Sequence, residues 1–167
     1  MNITAKKLLE AMKKKGHPVA TGELAINLIG IRATAIDGEL FNDWLCVLFE
    51  KKGKQELAIY PATTDCEALF VSQRTGLQLP AGHYKNCWQL GVYRGRYATL
   101  VGTQPLGINL CHGEPDPYTL EKHHWSGVTQ VMAHITDFHV VLSQLFEAAS
   151  KHERTFSYTL LDEADVG

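Results

Sequence analysis

Histidines are concentrated in one part of this 167-residue chain. Five of the eight fall between positions 112 and 139, at His112, His123, His124, His134 and His139. The same stretch holds Trp125, Ser126 and Thr129, and Cys111 stands directly before it. Because imidazole changes its charge near neutral pH, such histidines can act as acids, bases or metal ligands. The clustering predicts a site built from a strand end and a loop, although any single histidine is more often a surface residue beside a helix.

A metal-dependent hydrolase is one alternative that these histidines leave open. Imidazole and carboxylate ligands suit zinc, and the candidate ligands are His112, His123 and His124 together with Glu114 or Asp116. The spacing does not match a firm ligand motif such as His-Glu-x-x-His. We therefore expect no bound metal and no cofactor.

The four cysteines, Cys46, Cys66, Cys87 and Cys111, are widely spaced and form no Cys-x-x-Cys pair. This spacing argues against a zinc knuckle and against a thioredoxin-type dithiol. In a reducing compartment we expect thiols rather than disulfides. Cys46 lies in an apolar run and is expected to be a small core residue.

The composition is that of an ordinary globular protein, with 45% hydrophobic and 20% charged residues. The length fits a single domain over residues 1–167. The formal charge of −2 argues against a nucleic-acid binder, which usually needs a basic face. No apolar run approaches the roughly 20 residues that a membrane span requires. Neither nucleic acid nor a membrane is expected as a partner.

The N-terminal region carries no continuous apolar segment, because lysines such as Lys6, Lys7 and Lys13 interrupt it. A secretory signal is therefore not expected. We expect a cytoplasmic protein that leaves its compartment only by lysis or with a particle.

Two helices are indicated by caps and apolar periodicity. Thr4 is placed to cap a helix over 5–15, which Gly16 ends. Thr136 is the expected cap of a second helix, whose apolar stripe comprises Phe138, Val141, Leu142, Leu145 and Ala149. Both stripes are expected to pack on a common core.

The rest of the chain reads mainly as β-structure. The expected strands cover 24–31, 44–50, 55–60, 88–93, 97–101, 108–112 and a segment from Phe156 to Leu160. Pro61 to Asp65 is expected to be a loop, and Asp162 to Gly167 an acidic tail. The predicted fold is α+β, with a β-rich sheet or barrel-like core, an N-terminal helix and one C-terminal helix packed on it.

Two sequence blocks resemble the catalytic blocks of the L,D-transpeptidase fold, in which a His-Gly block precedes a Ser-His-Gly-Cys block. The first is Gly107-Ile108-Asn109-Leu110-Cys111-His112-Gly113, and the second is Trp125-Ser126-Gly127-Val128-Thr129-Gln130-Val131. The chain is more similar still to a phage and prophage branch with the patterns Gly-Ile-Asn-Ile-His and Trp-Ser-Ala-Gly-Cys-Gln-Val. Matching stretches such as 29–32, 61–65, 82–86, 91–97 and 158–161 extend the resemblance over nearly the whole chain.

The catalytic cysteine of that family is missing here. The family histidine of the first block falls on Cys111 with His112 beside it, and the family cysteine falls on Thr129, or on Val128 if the blocks are shifted by one. A thiolate is a good nucleophile once a neighbour lowers its pKa, whereas a threonine hydroxyl needs a strong adjacent base. The resemblance therefore implies a pseudoenzyme or a binding protein derived from a peptidoglycan stem-peptide acyltransferase or peptidase.

The resemblance also supplies the candidate site. It implies catalytic positions at Cys111, His112, Ser126 and Thr129, and ligand-binding positions at Arg94, Arg96, Tyr97, His123, His124, Trp125 and Gln130. Two arginines around a glycine turn can also grip a carboxylate by bidentate hydrogen bonds, or can simply form a solvated hairpin tip. A peptide-like or small-molecule ligand is expected. The alternatives are a particle-associated module that binds a small ligand or a protein partner, and the metal-dependent hydrolase. The sequence leaves the oligomeric state open.

Overall fold

The computed structural model describes residues 2–34, 41–64, 79–93, 96–102, 110–112 and 130–167. Its helices are α1 (Ala5–Lys14), α2 (Ile135–Ala149) and α3 (Glu163–Val166). Its strands are β1 (Ile26–Arg32), β2 (Asp43–Lys51), β3 (Lys54–Thr63), β4 (Gly82–Tyr93), β5 (Arg96–Gly102), β6 (Leu110–His112), β7 (Gln130–Met132) and β8 (Thr155–Asp162). The fold is α+β with a β-rich core, as the sequence predicts.

The eight described strands form a closed barrel in the order β1-β2-β3-β7-β6-β5-β4-β8. β1 closes the barrel, because it pairs antiparallel with β2 on one side and parallel with β8 on the other. β6 and β7 form the second parallel pair. In this order β8 and β7 are four strands apart in either direction, so they face each other across the interior.

Alternate residues of the strands fill the interior of the barrel. The largest core cluster includes Leu28, Leu45, Trp88 and Leu110, and α2 adds Phe138, Val141, Leu142, Leu145 and Ala148 to it. The predicted apolar stripe of α2 is thus confirmed, except that Ala148 rather than Ala149 is fully buried. The helix also begins two residues earlier than expected, since His134 and not Thr136 is its N-cap.

A second cluster lies between the barrel and the terminal helices. Leu8, Ala11 and Met12 of α1 pack against the opposite face of β1, which presents Ile29 and Ile31. The Thr4 hydroxyl caps α1 by accepting a hydrogen bond from the Lys7 N–H at 3.3 Å, and Gly16 follows with a positive φ of 71°. The sequence prediction for this helix is therefore confirmed.

The prediction of an acidic tail at the C-terminus is wrong. Glu163–Val166 forms the short helix α3, with a capping box between Asp162 and Asp165. Val166 is 2% exposed and packs in the same cluster as α1, and Lys15 Nζ lies 2.8 Å from an oxygen of Asp165. A helix this short is unstable on its own. Burial against α1, which the local sequence does not reveal, stabilises it.

The predicted loop after residue 60 also begins too early. Pro61, Ala62 and Thr63 belong to β3, where Pro61 and Ala62 pair with the start of β2. β7 pairs with β3 only at Ala62 and Thr63, so on that side no strand requires the backbone donor that proline lacks. The proline therefore sits within a strand without breaking a ladder bond to β7.

The described helices are all short, and α2 is the longest at 15 residues. No helix in the described part of the chain has the length and apolar character needed to cross a membrane.

Candidate functional site

β6 and β7 bring together the described parts of the two motif blocks, residues 110–112 and 130–131. Their parallel pairing sets Leu110 beside Gln130, Cys111 beside Val131 and His112 beside Met132. Parallel neighbours need a long crossover connection, which here is the segment 113–129. The described part of the first block lies in β6, and the described part of the second block lies in β7. The two strands are hydrogen-bonded to each other.

Cys111 is enclosed by its neighbours. Its side chain is 7% exposed and packs with Val131 and Phe41, whereas Leu110 belongs to the interior core. The Cys111 Sγ–H donates to the backbone oxygen of Gln130 at 3.6 Å. A buried cysteine among apolar groups is usually inert, because a reactive one needs an exposed, electropositive setting.

Two other cysteines in the described residues are also unreactive thiols. Cys46 and Cys87 are buried and form no disulfide. Burial raises the pKa of Cys46 to about 12 and that of Cys87 to about 11. Neither is a thiolate near neutral pH, so neither is suited to act as a nucleophile. The prediction that Cys46 is a core residue is confirmed.

Gln130, at the start of β7, is held by hydrogen bonds at both ends of its amide. Its Oε1 accepts from the Tyr158 hydroxyl at 2.6 Å, and its Nε2 donates to the Thr64 carbonyl at 3.4 Å. Tyr158 comes from β8, directly across the barrel, and burial raises its pKa well above the ordinary value. It therefore stays protonated and acts as the donor.

Gly30 of β1 makes room for this bond. A Cβ at Gly30 would overlap the Tyr158 hydroxyl and lie 2.7 Å from its Cζ. Tyr158 is 1% exposed, so the ring cannot move aside into solvent. The glycine is thus needed for a close approach of side chain to backbone rather than for a turn.

A buried polar network continues from Thr64 to the ends of β1 and β2. Asp43, which is 0% exposed, accepts from the Thr64 hydroxyl and the Thr64 N–H, both at 2.7 Å, and from the Ala33 N–H at 2.8 Å. The Thr64 hydroxyl accepts from Arg32 Nε at 3.2 Å. Arg32 Nη2 donates to the Leu79 carbonyl at 2.7 Å. The network fixes three strand ends around Gln130 and so positions the start of β7.

Several predicted site residues lie outside the described residues, namely Arg94, His123, His124, Trp125, Ser126 and Thr129. Arg96 and Tyr97 begin β5 and pair with Tyr93 and Val92 of β4, so the predicted hairpin is confirmed there. Their role in ligand binding stays a prediction, as do the roles of His112 and Gln130.

The described residues contain no group of three or more histidine, cysteine or acidic side chains placed to hold a metal ion. Of the alternative zinc ligands, Glu114, Asp116, His123 and His124 lie outside the described ranges. The hydrolase alternative therefore gains no support from the part of the chain that the structure describes.

A pocket of about 540 Å³ lies away from the motif blocks, on the side of the barrel formed by β1, β4 and β8. Its polar lining includes His83, Lys85, Asn86, Ser157 and Thr159, none of which the sequence pattern marks as functional. One sequence signal for this region is Asn86 within β4. An asparagine inside a strand often marks a left-handed residue or a bulge.

No family model matches this chain, and comparisons with curated proteins and with solved structures give no match. The resemblance to L,D-transpeptidases therefore rests on the motifs, and the geometry of β6 and β7 is the feature that bears most directly on function.

Proposed function

We propose that this chain is a non-catalytic protein of the phage L,D-transpeptidase-like type, which binds peptidoglycan stem peptides or related peptide-like ligands. One observation carries the proposal: the parallel pairing of β6 and β7, with Cys111 beside Val131. A two-block site requires both blocks to meet at neighbouring backbones. This pairing supports the idea that a groove has been retained along the two strands.

The surroundings of the thiol support binding without covalent chemistry. Cys111 is 7% exposed, and its Sγ–H is bonded to the Gln130 carbonyl. The alternative nucleophile, the hydroxyl of Thr129, is almost wholly protonated at neutral pH and would need a positioned general base. We infer that the peptide ligand is held and released unchanged. The protein would act in the cytoplasm or wherever lysis or a particle delivers it.

A calorimetric titration of the full chain with a muropeptide that carries a free terminal carboxylate tests the proposal. We expect saturable binding, with no new product in the same mixture by mass spectrometry. Arg94→Gln should weaken binding by about tenfold to a hundredfold, since a charge-assisted hydrogen bond is worth roughly 1.5–3 kcal/mol. Arg154→Gln is the matched control, because Arg154 is an exposed arginine directly before β8. This variant should bind normally.

Two results would contradict the proposal. The first is the absence of muropeptide binding by the unmodified chain. The second is turnover that disappears in Cys111→Ser, which would show that the nucleophile has moved to Cys111. Activity that arises only in Thr129→Cys would support a retained groove with lost chemistry.

A further inference from the structure

The pocket on the β1, β4 and β8 side is a half-open cleft whose walls are fixed by hydrogen bonds. Its wall over 18–21 is fixed to β1 by Asn27, whose Oδ1 accepts from the Ala20 N–H at 2.8 Å and whose Nδ2 donates to the Ala20 carbonyl at 2.9 Å. The turn after α2 is fixed by His152, whose Nε2–H donates to the Glu23 carbonyl at 2.9 Å. Asn27 is only 8% exposed. Each of the two walls is therefore fixed in place by specific hydrogen bonds.

A bulge in β4 forms the third wall. His83 pairs with Thr159 and Tyr84 with Tyr158, but the next pair is Trp88 with Phe156. Three residues of β4 thus lie opposite the single residue Ser157. Bulges of this kind re-aim side chains and are common beside binding sites. Here the bulge places Lys85 and Asn86 in the lining of the pocket.

Asn86 at the centre of the bulge has a positive φ of 48°. Its N–H donates to the Ser157 hydroxyl at 3.0 Å, and that hydroxyl donates to Asn86 Oδ1 at 3.5 Å. A left-handed residue that is not glycine stores local strain and persists only when its surroundings hold it. This left-handed residue, a conformation that asparagine tolerates better than most side chains, lines the cavity.

The charged side chain that β4 contributes to the cavity is the cation Lys85. Lys85 is exposed at the pocket and forms no ion pair with any described residue. His83 stacks against His17, with ring centroids 6.1 Å apart, and its Nδ1 lies 2.9 Å from the Thr159 hydroxyl. On the opposite side Glu153 also lines the pocket, but its Oε2 accepts from the Thr155 hydroxyl at 3.3 Å. The carboxylate of Glu23 is bonded to the Lys52 N–H.

The floor of the same cavity is apolar. Val19, Leu24, Leu28, Ala148 and Phe156 contribute to its lining. Pockets of this size that combine an apolar floor with a few fixed polar groups are typical of small-molecule sites. Lys85, which has no ion-pair partner among the described residues, and the apolar lining together favour a ligand with an anionic end and an apolar body.

We propose that this pocket binds a small organic carboxylate with an apolar body, the carboxylate lying against Lys85 and the His83 imidazole and the body against Leu24, Leu28 and Phe156. The site is separate from the motif blocks, because β8 lies across the barrel from β7. A failure of muropeptide binding would therefore not contradict this proposal, and the reverse also holds.

The state of His83 in the unliganded protein predicts how binding depends on pH. Burial, together with the charges of His17 and Lys85, lowers the pKa of His83. A carboxylate beside the imidazole would favour its protonated form and so raise that pKa again. Because binding and proton uptake are linked, the ligand should bind more tightly as the pH falls toward about 5.5.

The test is an NMR titration of the full chain with 4-phenylbutyrate, followed at the His83 ring. Saturable shifts and a raised His83 pKa are expected, with affinity at least about threefold tighter at about pH 5.5 than at about pH 7.5. The neutral isostere 4-phenylbutanamide and inorganic phosphate, which lacks an apolar body, should each bind at least about tenfold more weakly, a difference of about 1.4 kcal/mol.

Charge variants complete the test. Lys85→Met should weaken phenylbutyrate binding by about tenfold or more, whereas Lys54→Met, an exposed lysine at the start of β3, should leave it unchanged. Neither variant should alter muropeptide binding. The proposal is wrong if phenylbutyrate and its carboxylate homologues of different length leave His83 unmoved, if the amide or phosphate binds as tightly as the acid, or if Lys85→Met binds as the unmodified chain does.

Discussion

Tyr158 of β8 and Gln130 of β7 form a side-chain hydrogen bond that joins opposite strands through the interior. Replacing the tyrosine by phenylalanine keeps the ring but leaves Gln130 Oε1 buried without its donor. An unsatisfied buried acceptor costs about 1–3 kcal/mol. We expect Tyr158→Phe to lower the free energy of unfolding by that amount, measured from urea denaturation curves.

Tyr60→Phe is the matched control for this substitution. Tyr60 is half-buried beside the same core, and its hydroxyl has no hydrogen bond to any residue that the structure describes. Its loss should change the free energy of unfolding by less than about 0.5 kcal/mol. Equal destabilisation by the two substitutions would show that the Tyr158–Gln130 bond contributes nothing specific to the barrel.

The bulge in β4 makes a prediction about backbone conformation. Asn86→Ala and Asn86→Gly both remove the side-chain acceptor for Ser157, but only alanine is strained at a φ of 48°. We expect Asn86→Gly to be more stable than Asn86→Ala by about 1 kcal/mol in thermal or urea unfolding.

Gln89, three residues further along β4, is the control position. There the order of stability of the glycine and alanine variants should be reversed. It is exposed and pairs with Thr155 in the regular part of the ladder. At such a position glycine should be less stable than alanine by roughly 0.5–1 kcal/mol, because it loses more backbone freedom on folding. If alanine is also preferred at position 86, the left-handed conformation of the bulge is not maintained in solution.

For the molecule as a whole, His83 makes stability depend on pH. Its pKa is lowered in the folded chain by burial and by the neighbouring His17 and Lys85, so the unfolded chain binds the proton more readily. The contribution is fully present above the ordinary histidine pKa of about 6.5 and is lost as the pH falls through and below that value.

We expect the urea midpoint of the unliganded chain to fall between about pH 7.5 and about pH 5.5, and to fall less in His83→Asn, which keeps a polar partner for Thr159. His139→Gln, an exposed histidine of α2, should keep the full dependence. A fall in His83→Asn as large as that of the unmodified chain would mean that other groups carry the effect.

Local sequence signals determine much of this structure. The Thr4 cap, the glycine after α1 and the three- and four-residue spacing of apolar side chains in α2 act within one or two turns, so α1 and the body of α2 follow from sequence neighbours. Two strand-like runs around the Lys51-Lys52-Gly53-Lys54 turn likewise predict the hairpin of β2 and β3, and alternation of apolar and polar residues predicts the last strand. The α+β class and the β-rich core follow from these elements.

Closure of the barrel and the details of its sites depend on contacts between distant parts of the chain. The tyrosine of β8 reaches the glutamine of β7 over Gly30, and α3 forms because α1 buries Val166. The bulge around Asn86 is fixed by Ser157, far away in sequence. Apart from the asparagine within β4, which can mark a bulge, these contacts have no local signature, since burial and cross-strand bonding compensate for conformations that short segments disfavour on their own. Sequence spacing thus pointed to the thiol and histidines of the two motif blocks, whereas the tertiary structure enclosed that thiol and assembled a separate cavity from β1, β4 and β8.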